Sequence, residues 1–173
     1  YMSVWVMKES DFLMVGSKKE QVFEYKLLAD ILANSDKMKA DFKDLGLSDI
    51  YAVLGFYRMG KKEVMAFTEG ADVNTDDGAQ LEYSAPKSLR RATSTLNRKI
   101  MEPYLAPAPW LDGDSNPVPQ ALRHFYLAQA YQGSDATLRA VEEVDKAIQL
   151  DATNPDFYVL KTKLLLDQEK SAV

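Results

Sequence analysis

Two short runs of consecutive apolar residues open the chain, Val4-Trp5-Val6-Met7 and Phe12-Leu13-Met14-Val15. The polar stretch Lys8-Glu9-Ser10-Asp11 separates them and Gly16-Ser17 closes the second. That pattern predicts a β-hairpin with a four-residue turn. Both strands are apolar on successive residues, so both of their faces seek cover, as in a sheet sandwiched between layers. A lone hairpin is marginal in water, so helices of this chain or a further sheet must supply that cover. From residue 20 the period changes. Val22, Tyr25, Leu28, Ile31 and Leu32 form one helical stripe, and Asn34-Ser35-Asp36 ends it and caps a shorter helix carrying Met38, Phe42 and Leu45 before Gly46. Ser48-Asp49 caps a third helix read through Ile50, Val53, Leu54 and Tyr57 to Gly60, and Val64 to Phe67 lie on a fourth that stops at Gly70. Short, capped pieces of this kind predict a small helical cluster with its own core.

Residues 71–86 interrupt the helical rhythm with the polar cluster Asp72 to Gly78, and Leu81-Glu82-Tyr83 reads as a short strand before Pro86. Lys87 to Met101 then reads as a helix with Leu89, Ala92, Leu96 and Ile100 on one face. Its bases, Lys87, Arg90, Arg91, Arg98 and Lys99, suit a solvated face, an acidic partner or an anionic membrane surface. Five of the seven prolines fall between Glu102 and Gln120, which marks a semi-rigid linker that Trp110-Leu111 would anchor to a neighbouring surface. Beyond it, 121–133 and 136–150 are two helical patterns joined at Gly133-Ser134-Asp135, and a third begins near Pro155. The expected fold is mainly α: an N-terminal β-hairpin packed on short helices, then a helical hairpin. The expected division is 1–101, a linker at 102–120, and a repeat at 121–173.

Composition mostly removes chemistry. A net charge of −5 argues against a nucleic-acid-coating role. The absence of cysteine excludes disulfides, thiol catalysis and thiolate-bound zinc, and His124 is the one histidine. With no companion visible, His124 reads as a packing residue between helices. No apolar run reaches the ~20 residues of a membrane-spanning helix. Asp76 and Asp77, with Glu82 nearby, are neighbouring carboxylates that could attract a polyamine or a divalent cation. Aspartates in such turns more commonly bond their own backbone amides.

The last segment resembles a tetratricopeptide repeat, a helix-turn-helix unit of ~34 residues. Leu127, Ala128 and Tyr131 match the large, small and aromatic positions of its first helix, and Ala140, Val144 and Ala147 the small, bulky and small positions of its second. These six are the expected repeat core and partner-binding residues. Three departures stand out: His124 replaces an aromatic, Ala152 replaces the usual proline, and Lys161 occupies an apolar position of the next half-repeat. Stacked repeats need ~3 units to stand alone, so one and a half must lean on something.

A second resemblance covers the middle. Asn74-Thr75-Asp76-Asp77, then Leu81-Glu82-Tyr83-Ser84-Ala85-Pro86-Lys87-Ser88-Leu89, is similar to the segment that follows the methyltransferase-like domain of spermidine synthase-like proteins. The opening hairpin resembles the closing strands of that domain. What the resemblance implies is partly negative. Aminopropyl transfer in that family needs a Gly-rich loop, acidic residues for decarboxylated adenosylmethionine and a catalytic aspartate, and nothing here matches them. The chain beginning at Tyr1 is therefore expected to be the non-catalytic C-terminal part of such a protein, with no cofactor of its own. Its expected partners are another protein or the missing N-terminal catalytic domain, with no nucleic acid. The resemblance also implies a soluble piece on the cytoplasmic side of a parent that is membrane-anchored in some members. The competing expectation is that residues around Asp76 line the substrate entrance of an aminopropyltransferase. An open hairpin edge would also allow a homodimer.

Overall fold

The computed structural model describes residues 1–8, 11–47, 49–73, 75, 77–78, 94–109, 118–133 and 136–171. Strands β1 (Met2–Lys8) and β2 (Asp11–Gly16) form the expected hairpin, antiparallel, with Ser3 opposite Val15 and Trp5 opposite Leu13. A third strand, β3 (Tyr57–Met59), pairs with the far side of β1, Val4 opposite Met59 and Trp5 opposite Tyr57, so the order is β2-β1-β3.

That third strand corrects the sequence reading, which carried the helix after Asp49 on through Tyr57. The helix stops at Leu54, where Gly55 packs against the backbone of another helix, and the Val6 amide donates to the Phe56 carbonyl at 2.8 Å. Pairing with β1, a contact distant in sequence, captures residues that carry too short a pattern to declare themselves. β1 is consequently central. Ser3, Val4, Trp5 and Val6 are all buried, and the Trp5 indole donates to Ser3 Oγ at 2.8 Å. The indole also meets Phe23 and Tyr57 edge-on, with ring centroids 5.8 and 5.3 Å apart.

Eight α-helices lie among the described residues. Helix α1 (Tyr25–Ala33) starts after Val22, which is exposed; Tyr25, Leu28 and Leu32 turn inward, whereas Ile31 is exposed. Ser35 caps α2 (Asp36–Asp44) by accepting from the Met38 amide. Asp49 caps α3 (Ile50–Leu54), its Oδ1 accepting from the Tyr51 amide at 3.1 Å. Helix α4 (Lys61–Phe67) opens with the Gly60 amide bonded to the Glu63 carboxylate. The stops at Gly46 and Gly70 both sit at positive φ, 68° and 74°, which a side chain would resist. Helix α5 (Ser94–Met101) continues into a 3₁₀ turn at Glu102–Tyr104. It is the described part of the helix expected from Lys87, whose first residues lie outside the described set, as do the expected strand at Leu81 and the Trp110-Leu111 anchor. Three longer helices complete the chain: α6 (Gln120–Gly133), α7 (Thr137–Leu150) and α8 (Pro155–Ser171).

One apolar core runs through both ends of the sequence. Trp5, Ile50, Tyr51 and Leu54 join it from the first half, and Leu127, Tyr131, Val144, Phe157 and Leu164 from the second. Helix α3 lies against α6, which joins the three C-terminal helices to the first half of the chain. A strap reinforces that union: the Ala106 amide donates to the Arg58 carbonyl at 2.8 Å, while Arg139 of α7 donates to the Ala106 carbonyl at 3.0 Å.

Candidate functional site

The six residues expected to form a repeat core are brought together in the core shared by α6, α7 and α8. Leu127, Ala128, Tyr131, Ala140, Val144 and Ala147 are all buried. Small side chains at Ala128, Ala140 and Ala147 let the helices approach closely, and Tyr131 fills the space beside them. Buried side chains shape the helix packing without reaching a visitor, so any partner meets other residues.

Two departures from the repeat pattern acquire a physical reason. His124, where an aromatic is usual, places Nδ1 2.6 Å from Glu143 Oε2 and ties α6 to α7. The other carboxylate oxygen of Glu143 accepts from Lys146 at 2.6 Å. Burial pushes the Glu143 carboxyl up, but the bonds from His124 and Lys146 together outweigh it and hold the group below its ordinary value. Lys161, at an apolar position, pairs with Asp145 at 2.7 Å and ties α7 to α8. Polar clasps thus replace two apolar contacts at helix–helix seams.

Helix α8 has two apolar sides. Phe157, Leu160 and Leu164 face α6 and α7 and are buried. On the opposite side Leu165, Tyr158, Thr162, Leu166 and Val159 form a second stripe, with Val159 66% and Leu166 51% exposed. The Thr162 hydroxyl donates back to the Tyr158 carbonyl at 2.8 Å, so its polar group is satisfied within the helix. The face is therefore open and apolar from Tyr158 to Leu166, and the exposed Glu169 closes it at its C-terminal end. A match to the repeat pattern does not reveal this second side; spacings of seven at Tyr158–Leu165 and Val159–Leu166 carry its signal in the sequence.

Other clusters are structural. Asp49, which burial pushes above the usual aspartate value against the bonds it accepts from Tyr51, Tyr25 and Ile50, serves as the α3 cap. The Tyr25 hydroxyl donates to its Oδ2 at 3.3 Å and is itself pushed up to about 12 by burial and by Asp49. Arg58 is buried, donates to the Gly55 and Tyr57 carbonyls at 2.6 and 2.8 Å, and lies over the Tyr131 ring. Burial lowers its guanidinium to about 10.

Of the three acidic residues read as a possible substrate or cation site, Asp77 is exposed. Asp76 and Glu82 lie outside the described residues. No group of carboxylates and imidazole able to hold a metal occurs among the described residues, and no described helix is long and apolar enough to cross a membrane. Two shallow clefts lie among the described residues. One of about 450 Å³ lies between Pro119, Leu122, Leu150 and Asn154, and one of about 410 Å³ between Leu32, Phe42, Lys43 and Leu47. Neither gathers groups suited to chemistry. Comparison of the chain with protein-family models, with curated proteins and with solved structures gives no match.

Proposed function

We propose that this chain works as a non-catalytic interaction module, the C-terminal part of a spermidine synthase-like protein, and that the outer face of α8 is its docking surface. The observation that carries the reading is the second apolar stripe on α8. A helix with one apolar side is finished once that side is buried, whereas Tyr158, Val159, Leu165 and Leu166 still offer area to another helix. Full burial of each such side chain is worth roughly 1.5–3 kcal/mol before the cost of association. The fitting partner is an amphipathic helix, from another protein or from a catalytic domain, laid along the outer face of α8. The affiliation itself is supported by sequence order: hairpin, short helices, acidic turn, basic helix, repeat.

The test is an affinity capture with wild type beside a Val159→Asp, Leu166→Asp double variant of unchanged melting temperature. A retained protein that the variant releases supports the reading. Identical retention by both would contradict it.

A further inference from the structure

Helices α1 and α2 differ from the helices of the core. Neither contains a buried residue, whereas the shorter α3 buries Ile50, Tyr51, Ala52 and Leu54. The pair rests on the core through Tyr25, Leu28, Leu32 and Phe42, each only partly buried. Apolar stabilisation scales with the area removed from water, so this attachment is weak. The two helices also pack loosely on each other. The cleft of about 410 Å³ described above opens between Leu32 of α1 and Phe42 of α2. Apart from Met38, Ala40 and Phe42, every residue of α2 is charged. The ion pairs Lys26–Asp30 and Lys39–Asp36 each stay within one helix.

Both ends of this span are pinned. Just before it, the Phe23 ring meets Trp5 and Tyr57 edge-on, and just after it Asp49 caps α3. Between those points, one side-chain hydrogen bond joins the span to the rest of the chain among the described residues. It is the bond from the Tyr25 hydroxyl to Asp49 Oδ2, at 3.3 Å, longer than the ~2.7–2.8 Å usual between oxygens. The Tyr25 ring lies stacked on Tyr51, which is fully buried beneath it. The bond therefore closes the base of a loop that carries two helices. Each helix has nine residues, too few to persist once undocked, so detachment and melting come as one step.

We propose that residues 25–47 are a hinged arm, latched over α3 by Tyr25 and Asp49, which opens as one unit while the sheet, α3 and α6 to α8 stay folded. Opening bares Tyr51 on the core and Leu28, Leu32 and Phe42 on the arm. The chain thereby gains an apolar surface that exists only in the open state. This is independent of the reading of α8.

The experiment is amide hydrogen exchange, read by NMR on the complete chain across urea concentrations below the global transition. Amides of α1 and α2 are expected to exchange roughly a hundredfold or more faster than those of α6 and α7, with one shared urea dependence. Tyr25→Phe keeps the ring and removes the latching hydroxyl. It is expected to speed exchange in α1 and α2 by the same factor, roughly two- to tenfold, and to leave α6 and α7 unchanged. Phe42→Ala, made on α2, should speed the amides of α1 as much as those of α2. Protection of α1 and α2 equal to that of α6 and α7 in the wild type would overturn the proposal. So would acceleration confined to the helix that carries the substitution, or shared by α6 and α7.

Discussion

Gly55, directly after α3, lies so close to Ala130 in the middle of α6 that a Cβ on Gly55 would overlap the Ala130 methyl group. The Leu127 carbonyl would stand 3.3 Å from the same atom. This contact seats α3 against α6. Gly55→Ala is expected to destabilise the chain by about 1–3 kcal/mol, through overpacking at a backbone that cannot retreat. Adding Ala130→Gly should restore much of the loss. Urea denaturation of the two variants checks this, and additivity in place of rescue would count against the contact.

Ala140 is fully buried where α7 meets its neighbours. Ala140→Arg inserts a long charged side chain there and is expected to remove on the order of 4 kcal/mol, enough to unfold the packing of α6, α7 and α8. Because α3 shares the same core, the first half should lose its cooperative transition as well. Circular dichroism melting reads both effects, and an unchanged profile would refute the packing described for the repeat.

The Lys161–Asp145 pair is more than a third exposed on both sides, so its worth is small despite its 2.7 Å separation. Lys161→Ala is expected to change stability by less than about 1 kcal/mol. Lys161→Leu, which restores the apolar residue of the repeat pattern, should cause no loss. A double-mutant cycle with Asp145→Ala measures the coupling.

Two carboxylates give pH dependences of opposite sign. Glu143 is held below its ordinary value, so its contribution is present above about pH 4.3 and is lost as pH falls through its folded value. Asp49 is raised by burial, so its contribution is full below about pH 3.9 and is lost as pH rises through its folded value. On acidification from about pH 6 to about pH 3, the wild type should lose its advantage over Glu143→Gln, while Asp49→Asn should lose whatever advantage it holds over wild type. Melting temperatures across that range decide the signs.

Much of this arrangement was legible in sequence because it is local. The hairpin announced itself by two apolar runs around a polar turn, and the Ser35 and Asp49 caps by residue type. The close-packed alanines of α6 and α7 showed in their spacing. What escaped was tertiary. The strand Tyr57–Met59 exists because β1 is there to pair with it. His124 looked like a lone packing residue because its partner Glu143 lies on another helix. The stripe that began at Val22 ran ahead of the helix, since helical spacing alone does not fix where a helix starts. The acidic turn stays unassigned: Asp77 is exposed, and Asp76 and Glu82 fall outside the described residues.

On the proposed function the outer side of α8 is a docking surface and no part of the chain's own core. The most direct measurement pairs the melting temperature of the Val159→Asp, Leu166→Asp variant with its capture of a partner. Unchanged melting with the partner released is the expected result. Melting lowered as far as by a core substitution, or a partner held as firmly as by the wild type, would contradict it.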